Sequence, residues 1–153
     1  MKIEELRKFL IIAKKSTYAA GDKNKVESTV PASTDLKFEQ ADFTYRDRYF
    51  GSDLSGGEEV VWFRGKPVWM MNYYNFVVEK VMDSHELFDF LKKCLGKTEE
   101  KLPLRGPEEF EENNLKYTFE VEGELERFTG VEKIFLKEKL IYVTYVHGGL
   151  LSE

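Results

Sequence analysis

Two glutamates at matching positions are the side chains best suited to acid–base chemistry in this sequence. Glu59 and Glu132 each follow a glycine by two residues, Gly57 and Gly130, at the start of a predicted strand. Two carboxyl groups in one groove can take different pKa values and divide the acid and base roles between them. The pair is therefore a candidate catalytic site. Ordinary solvated charges at strand starts are the simpler interpretation, and the pattern favours it.

Aromatic side chains are concentrated in one quarter of the chain. Eleven of the 22 aromatic residues, including both tryptophans, lie between Phe38 and Phe76. Such side chains combine apolar area with hydrogen-bonding groups, which is the composition of small-molecule pockets. Aromatic residues are also enriched in β-sheets generally, so a purely core role is the alternative. The residues predicted to line a binding groove are Tyr45, Arg48, Tyr49, Trp62, Trp69, Asn72 and Tyr74.

Metal, redox and cofactor chemistry have no matching pattern in the sequence. The two histidines, His85 and His147, lie far apart in the chain, and neither has a partner at a metal-ligand spacing. Cys94 lies on the apolar stripe of a predicted helix, which is typical of a small core residue. Phosphate-loop, dinucleotide-binding and serine-hydrolase motifs are missing from the sequence. We therefore predict no metal site and no cofactor.

Length and charge limit the classes of partner. The chain has 153 residues, enough for one domain over residues 1–153, and a formal net charge of -5. An acidic balance argues against nucleic acid and anionic membranes as direct partners, because both require clustered cations. A single cysteine fits a reducing compartment, and neither a signal peptide nor a long apolar run is recognisable. These features predict a cytoplasmic protein.

Hydrophobic periodicity predicts two helices among short strands. Helical spacing covers Ile3 to Lys15, and a second helix begins after the capping residue Asp83 and stops at Gly96. Residues 16–35 and 97–114 are predicted to be loops. Alternating or β-rich patterns predict six strands near residues 43–49, 59–63, 67–74, 115–121, 133–136 and 141–146.

The order of these elements suggests an internal duplication. A helix followed by three strands occurs twice, over residues 1–75 and 83–149, and both helices carry the pattern Glu-Leu-x-x-Phe-Leu. We therefore predict an α+β fold in which two αβββ pseudo-repeats form a largely antiparallel six-stranded sheet with two main helices. Two helices cannot cover six strands, so a groove would remain on the sheet. Chance similarity between two amphipathic αβββ units is the alternative explanation.

Several segments together resemble a known family. They include residues 45–51 (YRDRYFG), 57–62 (GEEVVW), 66–74 (KPVWMMNYY) and 145–149 (YVHGG). Over nearly the whole chain they are similar to an uncharacterised prokaryotic domain family of unknown function. Its members stand alone or follow an XRE-type helix-turn-helix domain, and this chain corresponds to the stand-alone form. Asn75 departs from the glycine that the family usually has there. Fusion to regulators implies an effector-sensing or interaction role.

Three functions therefore remain open. The first is a non-enzymatic small-molecule binding or effector-sensing module with an aromatic-lined groove. The second is a protein-interaction domain, including a homodimer that buries the same aromatic residues. The third is an enzyme that uses Glu59 and Glu132.

Overall fold

A computed structural model describes residues 1–21 and 23–152, in which nine strands form one antiparallel sheet with two helices. The helices are α1 (Ile3–Ser16) and α2 (Ser84–Leu95), and a 3₁₀ turn covers Tyr18–Ala20. The strands are β1 (Lys25–Val26), β2 (Thr34–Gln40), β3 (Phe43–Gly51), β4 (Leu54–Phe63), β5 (Lys66–Val77), β6 (Glu109–Glu112), β7 (Leu115–Glu124), β8 (Arg127–Leu136) and β9 (Lys139–Leu150).

The two halves of the chain meet at the middle of the sheet. The strand order is β1-β2-β3-β4-β5-β9-β8-β7-β6, so β5 of the N-terminal half (β1–β5) pairs with β9 of the C-terminal half (β6–β9). Tyr73 lies directly opposite Val146 in this central pair. Outward from it, each half adds its strands in reverse order along the chain. The result is a single continuous sheet with β1 and β6 at its edges.

The expected six-stranded sheet is wrong, because the described residues form nine strands. Strands β1 and β2 lie within or next to the predicted loop 16–35, of which Asp22 lies outside the described residues. Strand β6 is the acidic stretch 109–112, which was predicted as a loop. These three strands are short, polar or both. They form through backbone pairing at the ends of the sheet and so lack a strong apolar alternation.

Both predicted helices are confirmed, and their apolar faces pack on one side of the sheet. In α1 the buried residues include Leu6, Phe9 and Leu10, at helical spacing. In α2 the Asp83 carboxylate accepts a hydrogen bond from the backbone N–H of His85 at 2.8 Å, which satisfies an otherwise unpaired donor of the first turn. The core lies between these helices and the facing side of the sheet.

Tight turns fix the register of the hairpins. Arg64 and Gly65, between β4 and β5, both have positive φ, and so do Lys137 and Glu138 between β8 and β9. Two such residues make the turn whose twist matches antiparallel strands. The register shifts at corresponding places, between residues 61 and 62 in β4 and between 134 and 135 in β8. The predicted strands near residues 59–63 and 67–74 therefore form a hairpin around Arg64 and Gly65.

The alternation of β5 divides its side chains between the two faces of the sheet. Trp69 and Met71 face the helices and are fully buried, whereas Asn72 and Tyr74 belong to the outer face. The outer face is not covered, since Tyr74 is 53% exposed. Within the described residues, we find no helix with the length and apolar character needed to cross a membrane.

Candidate functional site

A cavity of about 270 Å³ lies between the N-terminal half of the sheet and the helices. Its floor consists of side chains from β3, β4 and β5, and its walls come from the end of α1, the 3₁₀ turn, one face of α2 and the segment 98–105. The exposed residues Ser52, His85 and Asp89 line it at the protein surface. Volume and lining resemble those of small-molecule sites, which are mainly apolar with a few placed polar groups.

A buried lysine from α1 reaches the floor of this cavity. Lys14 forms an ion pair with Glu59, and its ammonium also donates a hydrogen bond to the Leu104 carbonyl at 2.8 Å. Burial lowers the pKa of Lys14, and the adjacent Glu59 opposes this effect. The ammonium lies 5.7 Å from the ring centroid of Trp69, in a cation–π contact. Lys14 therefore links the cavity to the core tryptophan.

A second buried ion pair lies beside the cavity. Arg105 binds Glu132 through two hydrogen bonds of 3.0 and 2.7 Å. Glu132 also accepts hydrogen bonds from Tyr117 at 2.6 Å and Thr144 at 2.8 Å. Burial by itself would lower the pKa of Arg105, but the charge of Glu132 and the hydrogen bonds to it raise it well above its usual value. Both partners in this cluster are fully engaged.

Asp47 differs from these paired groups. It is 5% exposed, lines the cavity, and lies directly opposite Glu59 on the neighbouring strand. One of its oxygens accepts a hydrogen bond from the Tyr73 hydroxyl at 2.6 Å. Among the described residues, its other oxygen accepts no hydrogen bond, and no lysine or arginine forms an ion pair with it. Lys14, Glu59, Arg105, Glu132 and Asp47 thus form a cluster of buried charged groups. It contains two ion pairs, Lys14–Glu59 and Arg105–Glu132, and one carboxyl group, Asp47, that belongs to neither.

The environment of Asp47 shifts its proton affinity to the neutral range. Burial, and then the charge of Glu59, raise its pKa from 3.8 to about 7, although the Tyr73 hydrogen bond and the charges of Lys14 and Arg105 act in the opposite direction. A carboxyl group with such a pKa can accept or release a proton near pH 7. In its ionised form it can neutralise a bound cation.

Tyrosines form much of the remaining surface. Tyr45 and Tyr73 stand on the floor, and burial together with the nearby carboxylates raises both phenol pKa values well above 10.0. Both phenols are therefore protonated at neutral pH. Tyr18 and Tyr49 meet edge to face with ring centroids 6.1 Å apart, and Tyr142 lines the cavity from β9. The cavity accordingly combines aromatic rings with hydroxyl groups.

The structure brings together only some of the seven predicted ligand-binding residues. Tyr45 and Tyr49 line the cavity. Trp69 is fully buried next to it, where its indole N–H donates to the Leu125 carbonyl at 3.0 Å. The other four lie on the outer face of the sheet. They are Arg48, Trp62, Asn72 and Tyr74.

Arg48 has a structural partner on that outer face. Its guanidinium donates hydrogen bonds of 3.1 and 2.8 Å to Asp35, which is fully buried and also accepts from Ser33 at 2.7 Å. Burial alone would raise the pKa of Asp35, but these hydrogen bonds lower it. The hydrogen bonds of Arg48 therefore link β3 to β2. Asn72, on the same face, is half-buried.

The two candidate catalytic glutamates are buried rather than solvated, with exposures of 4% for Glu59 and 0% for Glu132. They lie in the middle of β4 and β8, because both strands begin earlier than predicted. Glu59 lines the cavity and Glu132 lies behind Arg105. The carboxyl group that directly faces Glu59 is Asp47.

Sequence patterns gave no signal for two residues of this site. Lys14 resembles the other lysines at the end of α1, and Arg105 lies in a segment predicted to be a loop. Asp47 belongs to an alternating strand that was identified, but nothing in its sequence neighbourhood marks it as unpaired. One signal could have identified Asp47: in an alternating strand it lies on the same face as Tyr45, so a charged residue occupies a position expected to face the core.

Within the described residues, no group of three or more histidine, cysteine, aspartate or glutamate side chains has the geometry to hold a metal ion. Cys94 is buried in α2, and burial raises its thiol pKa to about 12. Its location agrees with the predicted core role.

Sheet and cavity together define a class of protein in which one antiparallel sheet and two helices enclose a small polar and aromatic site. The family described as a domain of unknown function (DUF5680) matches residues 47–151, more than half of the chain, and the chain belongs to this family. The match includes Asp47, Glu59 and Arg105 and begins after α1. No curated protein and no solved structure matches the chain.

Proposed function

We propose that this protein is a small-molecule binding module whose ligand occupies the cavity between α2 and strands β3–β5. The observation that carries the proposal is a buried carboxyl group, Asp47, that faces the cavity and forms no ion pair with the residues that the structure describes. A buried polar group with unused hydrogen-bonding capacity costs free energy, so a sequence retains it where a partner is supplied. A bound molecule with a hydrogen-bond donor would be such a partner.

The proposed site differs from the groove expected on the open sheet. The cavity lies on the helix side and uses Tyr45 and Tyr49 from the predicted set, together with Tyr73, Lys14 and Asp47. The rigid strands of the floor support a preformed site. A ligand could enter beside α2, because exposed residues line the cavity there or nearby, among them Ser52, His85 and Asp89.

Ligand binding can be measured with one of the two tryptophans. Trp69 is coupled to the cavity through Lys14, whereas Trp62 lies on the outer face, so the Trp62→Phe variant has a single reporter. We would titrate this variant with a chemically diverse library of small molecules and record Trp69 emission and Tm. A ligand that binds the native state must raise Tm. We expect at least one chemical class to change both signals.

A matched pair of tyrosine variants locates the binding. Tyr49→Ala enlarges and opens the cavity, while Tyr74→Ala removes a side chain from the outer face of the same sheet. We expect the first variant to lose the response to ligand and the second to keep it. A library that changes neither signal would refute the proposal, and so would a response that only Tyr74→Ala abolishes.

A second candidate is a homodimer through the outer face. Tyr74 and Tyr145 lie directly opposite each other on the central strands, each 53% exposed, with the Phe76 ring 6.2 Å from both. Exposed aromatic clusters of this kind favour protein contacts, and a central position suits a self-complementary twofold interface. Light scattering tests this candidate. We expect the wild-type protein to be a dimer and Tyr145→Lys to dissociate it, whereas a strict monomer at high concentration would exclude the homodimer.

Other expectations stay predictions. The binding proposal does not depend on a prokaryotic origin, on fusion of relatives to XRE-type regulators or on a cytoplasmic location. An effector-sensing role would be consistent with ligand binding. An origin by internal duplication is supported by the matching register shifts in β4 and β8 and by the symmetric strand order. The single-domain organisation over residues 1–153 is likewise our proposal.

A further inference from the structure

We propose that the ligand of this cavity is a small organic cation, an amine whose ammonium group binds Asp47 between the surrounding tyrosine rings. This inference rests on the proposed binding function and specifies its chemistry.

Charge pairing in the site favours a cation over an anion. Lys14 is paired with Glu59, and Arg105 is held by two hydrogen bonds to Glu132. A third cationic residue of the lining, Lys92, pairs with Asp89 and lies over the Tyr18 ring. An anionic ligand at the floor of the cavity would therefore have to break a buried ion pair or remain uncompensated, which is costly. Asp47 is the member of the cluster without an ion pair among the described residues. One added positive charge would balance it.

A comparison within the chain indicates that this carboxyl group is not required by the fold. In β3, Asp47 lies directly opposite the buried Glu59, and in β7, Phe119 lies directly opposite the buried Glu132. Phe119 is part of the core and fills the equivalent space with apolar atoms. An apolar side chain is therefore compatible with this position in the sheet. The aspartate serves a purpose other than packing.

The walls of the cavity suit an ammonium group. Tyr45 and Tyr73 stand next to Asp47, and Tyr18 and Tyr49 form an edge-to-face pair on the cavity surface. Aromatic faces attract cations, and the attraction grows when the site excludes water. The protein already uses such contacts here, since Lys14 lies over Trp69 and Arg105 lies 5.8 Å from the Tyr73 ring centroid. The Tyr73 hydroxyl also orients the carboxylate by donating to one of its oxygens.

The test compares probes that differ only in charge. Small aryl and alkyl amines are titrated into the Trp62→Phe protein beside the alcohol and the carboxylic acid of the same shape. Benzylamine, benzyl alcohol and benzoate form one such set. We expect the amine of at least one set to bind about tenfold tighter than its alcohol, the ratio given by a hydrogen bond to a charged group. We expect no binding of the carboxylates.

Three variants assign the preference to Asp47. Asp47→Asn keeps an oxygen that can accept from Tyr73, and it should reduce the ratio of amine to alcohol affinity to about one. Glu122→Gln removes an exposed carboxylate that does not line the cavity and should leave the ratio unchanged. Tyr73→Phe removes the hydroxyl that orients the Asp47 carboxylate, so it should reduce the preference for amines without abolishing it.

The outcomes separate the two proposals. An amine preference that depends on Asp47 supports the inference. Alcohols or acids that bind as well as amines overturn it while leaving the binding function intact, and so does an amine preference that survives Asp47→Asn. If no probe and no member of the diverse library binds, both the inference and the proposed function fail.

Discussion

At the scale of single residues, Asp47 combines a stability cost with a candidate role in binding. Its carboxyl group is buried opposite Glu59 and accepts a hydrogen bond from Tyr73. Groups at functional sites are commonly kept at the expense of stability. The sequence placed Asp47 on the correct strand, but its isolation depends on Lys14 and Arg105 being already paired. Such pairing is a property of tertiary structure that local sequence patterns do not contain.

The cost of Asp47 predicts a pH-dependent effect of Asp47→Asn. Because its folded pKa is raised from 3.8 to about 7, Asp47 destabilises the native state increasingly between about pH 4 and pH 7, and its full cost applies above pH 7. Asp47→Asn should therefore raise the free energy of unfolding, relative to wild type, by about 3 kcal/mol more at pH 8 than at pH 5. Urea unfolding at the two pH values measures this difference. An equal change in the free energy of unfolding at both pH values would contradict this prediction. Asp89→Asn, which removes an exposed carboxylate, is the control.

The burial of Cys94 can be tested by thiol labelling. The thiol is buried in α2, and desolvation raises its pKa to about 12, so little reactive thiolate forms at pH 8. We expect a maleimide to leave the native protein unlabelled and to label it completely in urea, as measured by mass spectrometry. Rapid labelling of the native protein at pH 8 would show that the Cys94 face of α2 is not packed in the core.

At the scale of elements, strong local patterns were predictable and edge strands were not. The helices α1 and α2 carry amphipathic stripes and end signals, and both were placed correctly. The hairpin at Arg64 and Gly65 follows from turn chemistry. Strand β6 contains three glutamates around Phe110, and its conformation depends on pairing with β7. A four-residue acidic stretch has no intrinsic reason to be a strand, so only the assembled sheet determines it.

The cap of α2 gives a prediction at this scale. Asp83 accepts a hydrogen bond from the backbone N–H of His85, and its loss leaves that donor in the first turn without its partner. We expect Asp83→Ala to lower the free energy of unfolding by about 1 kcal/mol. Chemical denaturation measures it, with Asp89→Ala on the exposed face of the same helix as control. Equal effects of the two substitutions would contradict a capping role.

At the scale of the whole molecule, buried ion pairs join segments that are distant in the chain. Arg105 precedes β6 and reaches Glu132 in β8, while Lys14 from α1 reaches Glu59 in β4. These contacts surround the cavity and hold its walls to the sheet. They were not predictable, because each depends on the packing of separate elements. The general prediction of helices packed against an antiparallel sheet did not require them.

Breaking one ion pair should have a large effect on stability. Arg105→Met leaves the Glu132 carboxylate buried without its cation, for an expected loss of about 3–5 kcal/mol in the free energy of unfolding. The double variant Arg105→Met with Glu132→Gln removes both charges and should recover part of this loss. Denaturation of the single and double variants measures the coupling. Additive losses would contradict a direct pair.

The central claim is that a small molecule binds in the cavity rather than on the open face of the sheet. The most direct measurement is NMR chemical-shift mapping of the labelled protein during titration with the best amine found. We predict that the largest amide shifts cluster at Ala19, Asp47, Ser55 and Thr98, which line the cavity or its walls. Shifts centred on the outer face at Tyr74 and Tyr145, with the cavity unchanged, would contradict the account.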